Sequence, residues 1–86
     1  MVSYVKCHNG TPDSIQLKLE PWGETFEIRA KSFLLLEIHG PNADGWEMEW
    51  IGEGMVVWPP SRSSVRVLSD TGKALGEETA PRPPTP

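Results

Sequence analysis

Apolar and polar residues alternate with period two along most of the chain, and no window of about 11 residues carries a helical period. In "SIQLKLE" the apolar positions are Ile15, Leu17 and Leu19, with Gln16, Lys18 and Glu20 on the other face, as in a half-buried strand. "TFEIR" repeats the pattern with Phe26 and Ile28 inward. "SFLLLEIH" differs. Leu34, Leu36 and Ile38 share one face, but Phe33 and Leu35 on the other are apolar too, which predicts a central strand covered on both sides for part of its length. "WEMEWI" alternates again, with Trp46, Met48 and Trp50 on one face and Glu47 and Glu49 toward solvent. "MVVW" and "SVRVLS" supply further strands, the second with Val65 and Val67 inward. "VSYVKCH" reads as a strand with no decided inward face, and "KAL" as a short return strand.

Turn formers separate these segments. "GPNADG", Gly40 to Gly45, is expected to close a hairpin, as is "GEG", Gly52 to Gly54. Pro59-Pro60 ends its strand because proline cannot donate to a sheet ladder. Strands of about five to seven residues at roughly ten-residue spacing predict an all-β fold: a small antiparallel β-sandwich or partly open β-barrel of about six to seven strands. That domain is expected over residues 1–76. The remainder, 77–86, is Pro-rich and has no large apolar side chain, so burial cannot offset its ordering entropy. It is predicted to be disordered and partly polyproline-like. Its "PRPP" meets a minimal PxxP pattern, one that any proline-rich tail meets often by chance.

Composition narrows the function classes. A chain of 86 residues makes one domain at most and buries only about 60–65% of its unfolded surface. Its single cysteine, Cys7, excludes an internal disulfide framework. The start has no basic segment followed by an apolar run, and no uninterrupted apolar run exceeds four residues, so a cytoplasmic location is the expectation and membrane binding is not. The net charge is −4, and the eight Lys and Arg are dispersed. Nucleic-acid binding draws its affinity from cations set against phosphate, so it is not expected here.

Four tryptophans are an unusual load for this length. Each ring buries roughly 150–250 Å², worth on the order of 4–6 kcal/mol before entropy. A domain without disulfides needs that contribution, and Trp46, Trp50 and Trp58 are assigned to the core. Trp22 is different, because it stands in the turn of "LEPWGETFEI". Pro21 fixes its own φ and holds Glu20 extended, and Gly23 admits a backbone conformation that other residues resist. Trp22 is therefore expected to fold over one end of the domain as a lid, in preference to standing out as a contact.

Other constellations have plainer readings. "SDTGK" contains Asp-Thr-Gly, the triplet of aspartic proteases, but only 16 residues follow Asp70. No chain remains for a flap, and a turn with Gly72 at positive φ and Asp70 capping its own backbone accounts for the triplet. Cys7 and His8 are adjacent and point to opposite strand faces, and nothing local brings His39 and Glu37 to them, so no metal site and no cofactor is expected. The H-x-H metal pattern of cupins is missing, as are a nucleophile elbow and a phosphate-cradling loop. Glu20 and Glu24 are ordinary turn glutamates, and no catalytic residue is assigned.

"LEPWGETFEI", with the later "GMVVWPPSRSSVRV", resembles a group of short bacterial proteins that share an L-E-P-W-G-E motif, over roughly residues 14–72. The resemblance implies a cytoplasmic bacterial protein and carries over no activity. Where that pattern has a Pro-Gly turn, this chain has "RAKS", Arg29 to Ser32. The expected role is a non-enzymatic binding or interaction module, with homodimerisation through a sheet edge as one form of it. The alternatives are a small-ligand pocket near Trp22, with Glu20, Glu24 and His39 as polar contacts, and a carbohydrate-binding surface built on exposed tryptophan.

Overall fold

The computed structural model describes residues 2–41 and 45–83. Its strands are β1 (Val2–His8), β2 (Ile15–Leu19), β3 (Glu24–Ile28), β4 (Phe33–His39), β5 (Glu47–Ile51), β6 (Gly54–Trp58) and β7 (Ser64–Leu68). They form a three-stranded sheet ordered β1-β4-β7 and a four-stranded sheet ordered β3-β2-β6-β5. The sheets do not close on each other, so the fold is a small sandwich and not a barrel. No helix occurs among the described residues.

The period-two pattern decides which face each strand buries. Leu17 and Leu19 of β2, Leu36 and Ile38 of β4, Val57 of β6 and Val65 of β7 are all but inaccessible and meet between the layers. The undecided face of β1 is settled by Cys7, which enters the core while Tyr4 and Lys6 face out. Double cover of β4 is not found. Phe33 and Leu35 are half-buried, and no third layer lies over them. Side chains of β1 shield Phe33 instead: the Lys6 ammonium sits 4.5 Å above its ring, and the His8 ring centroid lies 5.4 Å away.

Three connections depart from expectation. Gly40 to Gly45 does not close a hairpin, because β4 is flanked by β1 and β7 and the chain crosses to the other sheet to begin β5. Part of that segment, 42–44, lies outside the described residues. Turn chemistry is the same for a hairpin and a crossing, so composition could not separate them. Second, β2 and β6 pair in parallel, with Leu17 beside Met55 and Leu19 beside Val57. Third, the turn "RAKS" puts Lys31 in the left-handed region at φ 59°, a conformation that favours glycine, and the Lys31 ammonium donates to the Gly10 carbonyl at 2.6 Å.

The C-terminal segment is described as far as residue 83. It runs along the outer edge of β7: Leu75 N–H donates to Val67 O at 2.8 Å, Thr79 N–H to Val65 O at 2.9 Å and Arg82 N–H to Ser63 O at 2.8 Å. Arg62 N–H donates back to Arg82 O at 2.9 Å, and the Arg82 guanidinium lies 5.5 Å from the centre of the Trp58 ring while also donating to Pro59 O. The expectation of disorder from residue 77 weighed apolar burial alone, and the edge of β7 offers this segment a row of donors and acceptors besides. Residues 84–86 lie outside the description.

A buried asparagine ties the crossings together. Asn9 Nδ2 donates to Asp13 O at 2.8 Å and Ile28 O at 2.9 Å, and its Oδ1 accepts from Thr11 N–H at 3.0 Å and Thr11 Oγ1 at 2.7 Å. Its own N–H donates to Ser32 O at 2.9 Å. The β1–β2 and β3–β4 connections are thus held at one point.

Asn9→Ala leaves carbonyls and a hydroxyl without their partner, and urea unfolding is expected to show a loss of about 2–3 kcal/mol. Gly54→Ala is expected to cost about 3 kcal/mol or more by the same measurement. A β-carbon there would meet Gln16 O at 1.9 Å, backbone against backbone, so the parallel β2–β6 pair has to separate. Unchanged stability of this variant would mean that the two strands do not pair in this register.

Candidate functional site

The four residues expected to bind do not form one site. The turn Glu20 to Gly23 joins β2 and β3, with a cis Glu20–Pro21 peptide, Gly23 at φ 73° and Gly23 N–H donating to Leu19 O at 2.9 Å. Trp22 folds down against the core, as the lid reading has it. Glu20 Oε1 is shielded from solvent and accepts from no donor among the described residues, while Glu24 is exposed. Surface recesses of about 240, 300 and 170 Å³ are present, and Trp22 lines none of the three. Glu24 borders the second, with Phe26 and Leu75.

His39 belongs to a different place, the outer face of the three-stranded sheet. The β4 pleat sets Glu37 and His39 on one face, and the register brings Arg66 of β7 opposite Glu37. Glu37 Oε1 accepts from Arg66 Nη2 at 2.7 Å and from His39 Nε2 at 2.6 Å. His39 Nε2 is also 3.9 Å from Glu78 Oε1, and the other Glu78 oxygen accepts from Ser64 Oγ at 2.7 Å. The cluster therefore helps seat the C-terminal segment on the sheet. The Arg66 hydrogen bond, and after it that from His39, holds the Glu37 carboxyl below its ordinary range, against the opposing effect of burial.

Cys7 points into the core, and His8 points out beside Phe33. His39 pairs with Val2 at the far end of β1, six residues or about 20 Å along the strand from His8. Among the described residues no three His, Cys, Asp or Glu side chains are grouped as metal ligands would be. Burial pushes the Cys7 thiol up to about 11, which keeps it protonated and a poor nucleophile. In "SDTGK" Gly72 has φ 85° and donates its N–H to Ser69 O at 2.9 Å. The capping side chain is Ser69, whose Oγ accepts from Lys73 N–H at 3.1 Å. Asp70 instead turns to Ser32 Oγ at 3.1 Å.

The surface that reasoning from sequence missed is β5. Trp50 was assigned to the core and is 64% exposed, and Met48 is 60% exposed. Both lie on the core-type face of the four-stranded sheet. Across the strands Leu17, Met55 and Trp50 form one row, and Leu19, Val57 and Met48 the next. Exposure along the first row is 0%, 8% and 64%. The three-stranded sheet covers β2 and β6 and stops short of β5. Trp46, just before the strand, still packs on the core, and Trp58 is half-buried under Arg82. Glu47 and Glu49 occupy the opposite face of β5, and the side of the strand away from β6 pairs with no strand among the described residues. The one hint in the sequence is that both outward positions are carboxylates, a common feature of edge strands.

Comparison of the chain with protein-family models, with curated proteins and with solved structures finds no match in any of the three. No helix among the described residues is long and apolar enough to cross a membrane.

The depressed pKa of Glu37 fixes the sign of a pH effect. Ionised Glu37 stabilises the native state fully above the unfolded pKa of about 4.3, and the contribution is lost as pH falls through the lower folded value. The stability difference between the natural protein and Glu37→Gln is therefore expected to be largest near neutrality and to shrink toward zero below pH ~4, in urea unfolding across a pH series. A difference that stays constant with pH would mean that the charge of Glu37 contributes nothing.

Proposed function

We propose that this protein is a non-enzymatic interaction module that takes a strand of another polypeptide onto the free edge of β5. The observation that supports the reading is an exposed tryptophan and methionine on the face that the rest of the sheet uses for its core. An added strand extends the ladder through the unpaired N–H and C=O groups of β5, and its inward side chains close over Trp50 and Met48. Large aromatic side chains at such a position carry a disproportionate share of binding energy.

The pocket reading draws no support from Trp22, which is turned into the core and lines none of the recesses described above. The carbohydrate reading needs hydrogen-bonding side chains beside the ring. The cross-strand neighbours of Trp50 and Met48 on that face are Met55 and Val57, which offer none.

A short extended peptide alternating valine and threonine is a neutral probe of the edge. Its titration is expected to shift the backbone amide resonances of residues 47–51 and slow their hydrogen exchange, and Trp50→Ser is expected to weaken binding by about tenfold or more. Amides of β5 that stay unmoved at millimolar peptide, or a Trp50→Ser variant that binds as well as the natural protein, would remove the proposal.

A further inference from the structure

We propose that the strand accepted by β5 is cationic and apolar in alternation, with Lys or Arg facing Glu47 and Glu49 and apolar side chains facing Trp50 and Met48. This deepens the edge-strand reading and rests on it.

The inference comes from where the two carboxylates stand. Glu47 and Glu49 are exposed and share the face of β5 opposite Trp50, with Ile51, 44% exposed, at the end of the strand on the same face. Their cross-strand partners on β6 are Trp58 and Val56, so their own sheet sets no cation directly beside them. Neither forms an ion pair among the described residues. The remaining lateral neighbour is whatever pairs with the open edge, and its side chains stand about 4.5–5.5 Å away at the β-carbon. A carboxylate brought there is repelled, and a basic side chain is attracted. One strand that alternates the two chemistries therefore meets Trp50 and Met48 on one face of β5 and both carboxylates on the other at once.

A second copy of this chain fits less well. The antiparallel two-fold register that pairs all five residues of β5 sets Glu49 directly against Glu49 of the other copy. Each copy also carries a net charge of −4.

The test uses the full chain and three short peptides in which valine alternates with lysine, with threonine or with glutamate. The lysine peptide is expected to bind at least about tenfold more tightly than the glutamate peptide, with the threonine peptide between them. The preference is expected to fade with added salt. In the double variant Glu47→Lys, Glu49→Lys the order is expected to reverse; both positions are solvent-exposed, and circular dichroism checks that the fold is kept. Equal binding of the lysine and glutamate peptides, with β5 amides responding to both, would overturn the charge inference and leave the edge reading standing. Failure of all three to perturb β5 would instead remove the edge reading itself, and this inference with it. A concentration-dependent dimer in sedimentation, abolished by Trp50→Ser, would assign the edge to a second copy and overturn the cationic partner.

Discussion

The three-stranded sheet does not cover the four-stranded sheet as far as β5, and most of what is distinctive about this protein follows from that mismatch. The apolar rows that cross the four-stranded sheet are continuous in chemistry. They begin at Leu17 and Leu19, pass through Met55 and Val57, and end at Trp50 and Met48. They are not continuous in burial, because the opposite layer ends before the last strand does. Trp50 thus has a core residue's direction and a surface residue's environment. In a chain with no disulfide, leaving an indole in water gives up stabilisation on the order of a few kcal/mol. That makes β5 the place where the fold gives most to whatever it meets.

The sheet edges are managed in different ways. The edge of β7 is occupied by the chain's own C-terminal segment, held by backbone bonds to Val67, Val65 and Ser63 and by Arg82 over Trp58. The cluster of Glu37, His39, Arg66, Glu78 and Ser64 adds side-chain ties to the same segment. Among the described residues the edge of β5 has no such strap. What protects it from indiscriminate pairing is charge, since Glu47 and Glu49 stand on it and the hairpin tip beyond carries Glu53. The β7 edge is closed by covalent continuity, whereas the β5 edge, like the outer edges of β1 and β3, pairs with no strand among the described residues.

The alternation in β2, β4, β6 and β7 was legible in the sequence because it reports a local fact, which side of a pleat a residue occupies. The all-β class follows from it, while the choice between sandwich and partly open barrel stayed open, and the lid position of Trp22 was read from Pro21 and Gly23 in the turn. Facts that depend on which strand lies beside which were not legible. "WEMEWI" alternates like a core strand whether or not a layer lies over it, so Trp50 looked buried. Gly40 to Gly45 has turn chemistry whether the chain returns in the same sheet or crosses to the other. Asn9 carried no signal at all, since its role is to collect carbonyls from segments about 20 residues away in sequence. The run of the C-terminal segment along β7 was not legible for the converse reason: it rests on hydrogen bonds to an edge, and composition measures only burial.

The two faces of β5 also determine register. In a strand that alternates apolar and basic residues, a slip of one position carries every side chain to the opposite face. Lysines would then stand over the Trp50 and Met48 face and leave water with no carboxylate beside them. The apolar side chains would meet the carboxylates of Glu47 and Glu49 in place of Trp50 and Met48. Both halves of the slipped arrangement lose free energy together, so the penalty against it is the sum of two mismatches. An edge that was apolar on both faces would tolerate the slip and pair with many strands. On the proposed reading, indole and thioether on one side and two carboxylates on the other would let a five-residue strand select both the chemistry of its partner and the alignment in which that partner binds.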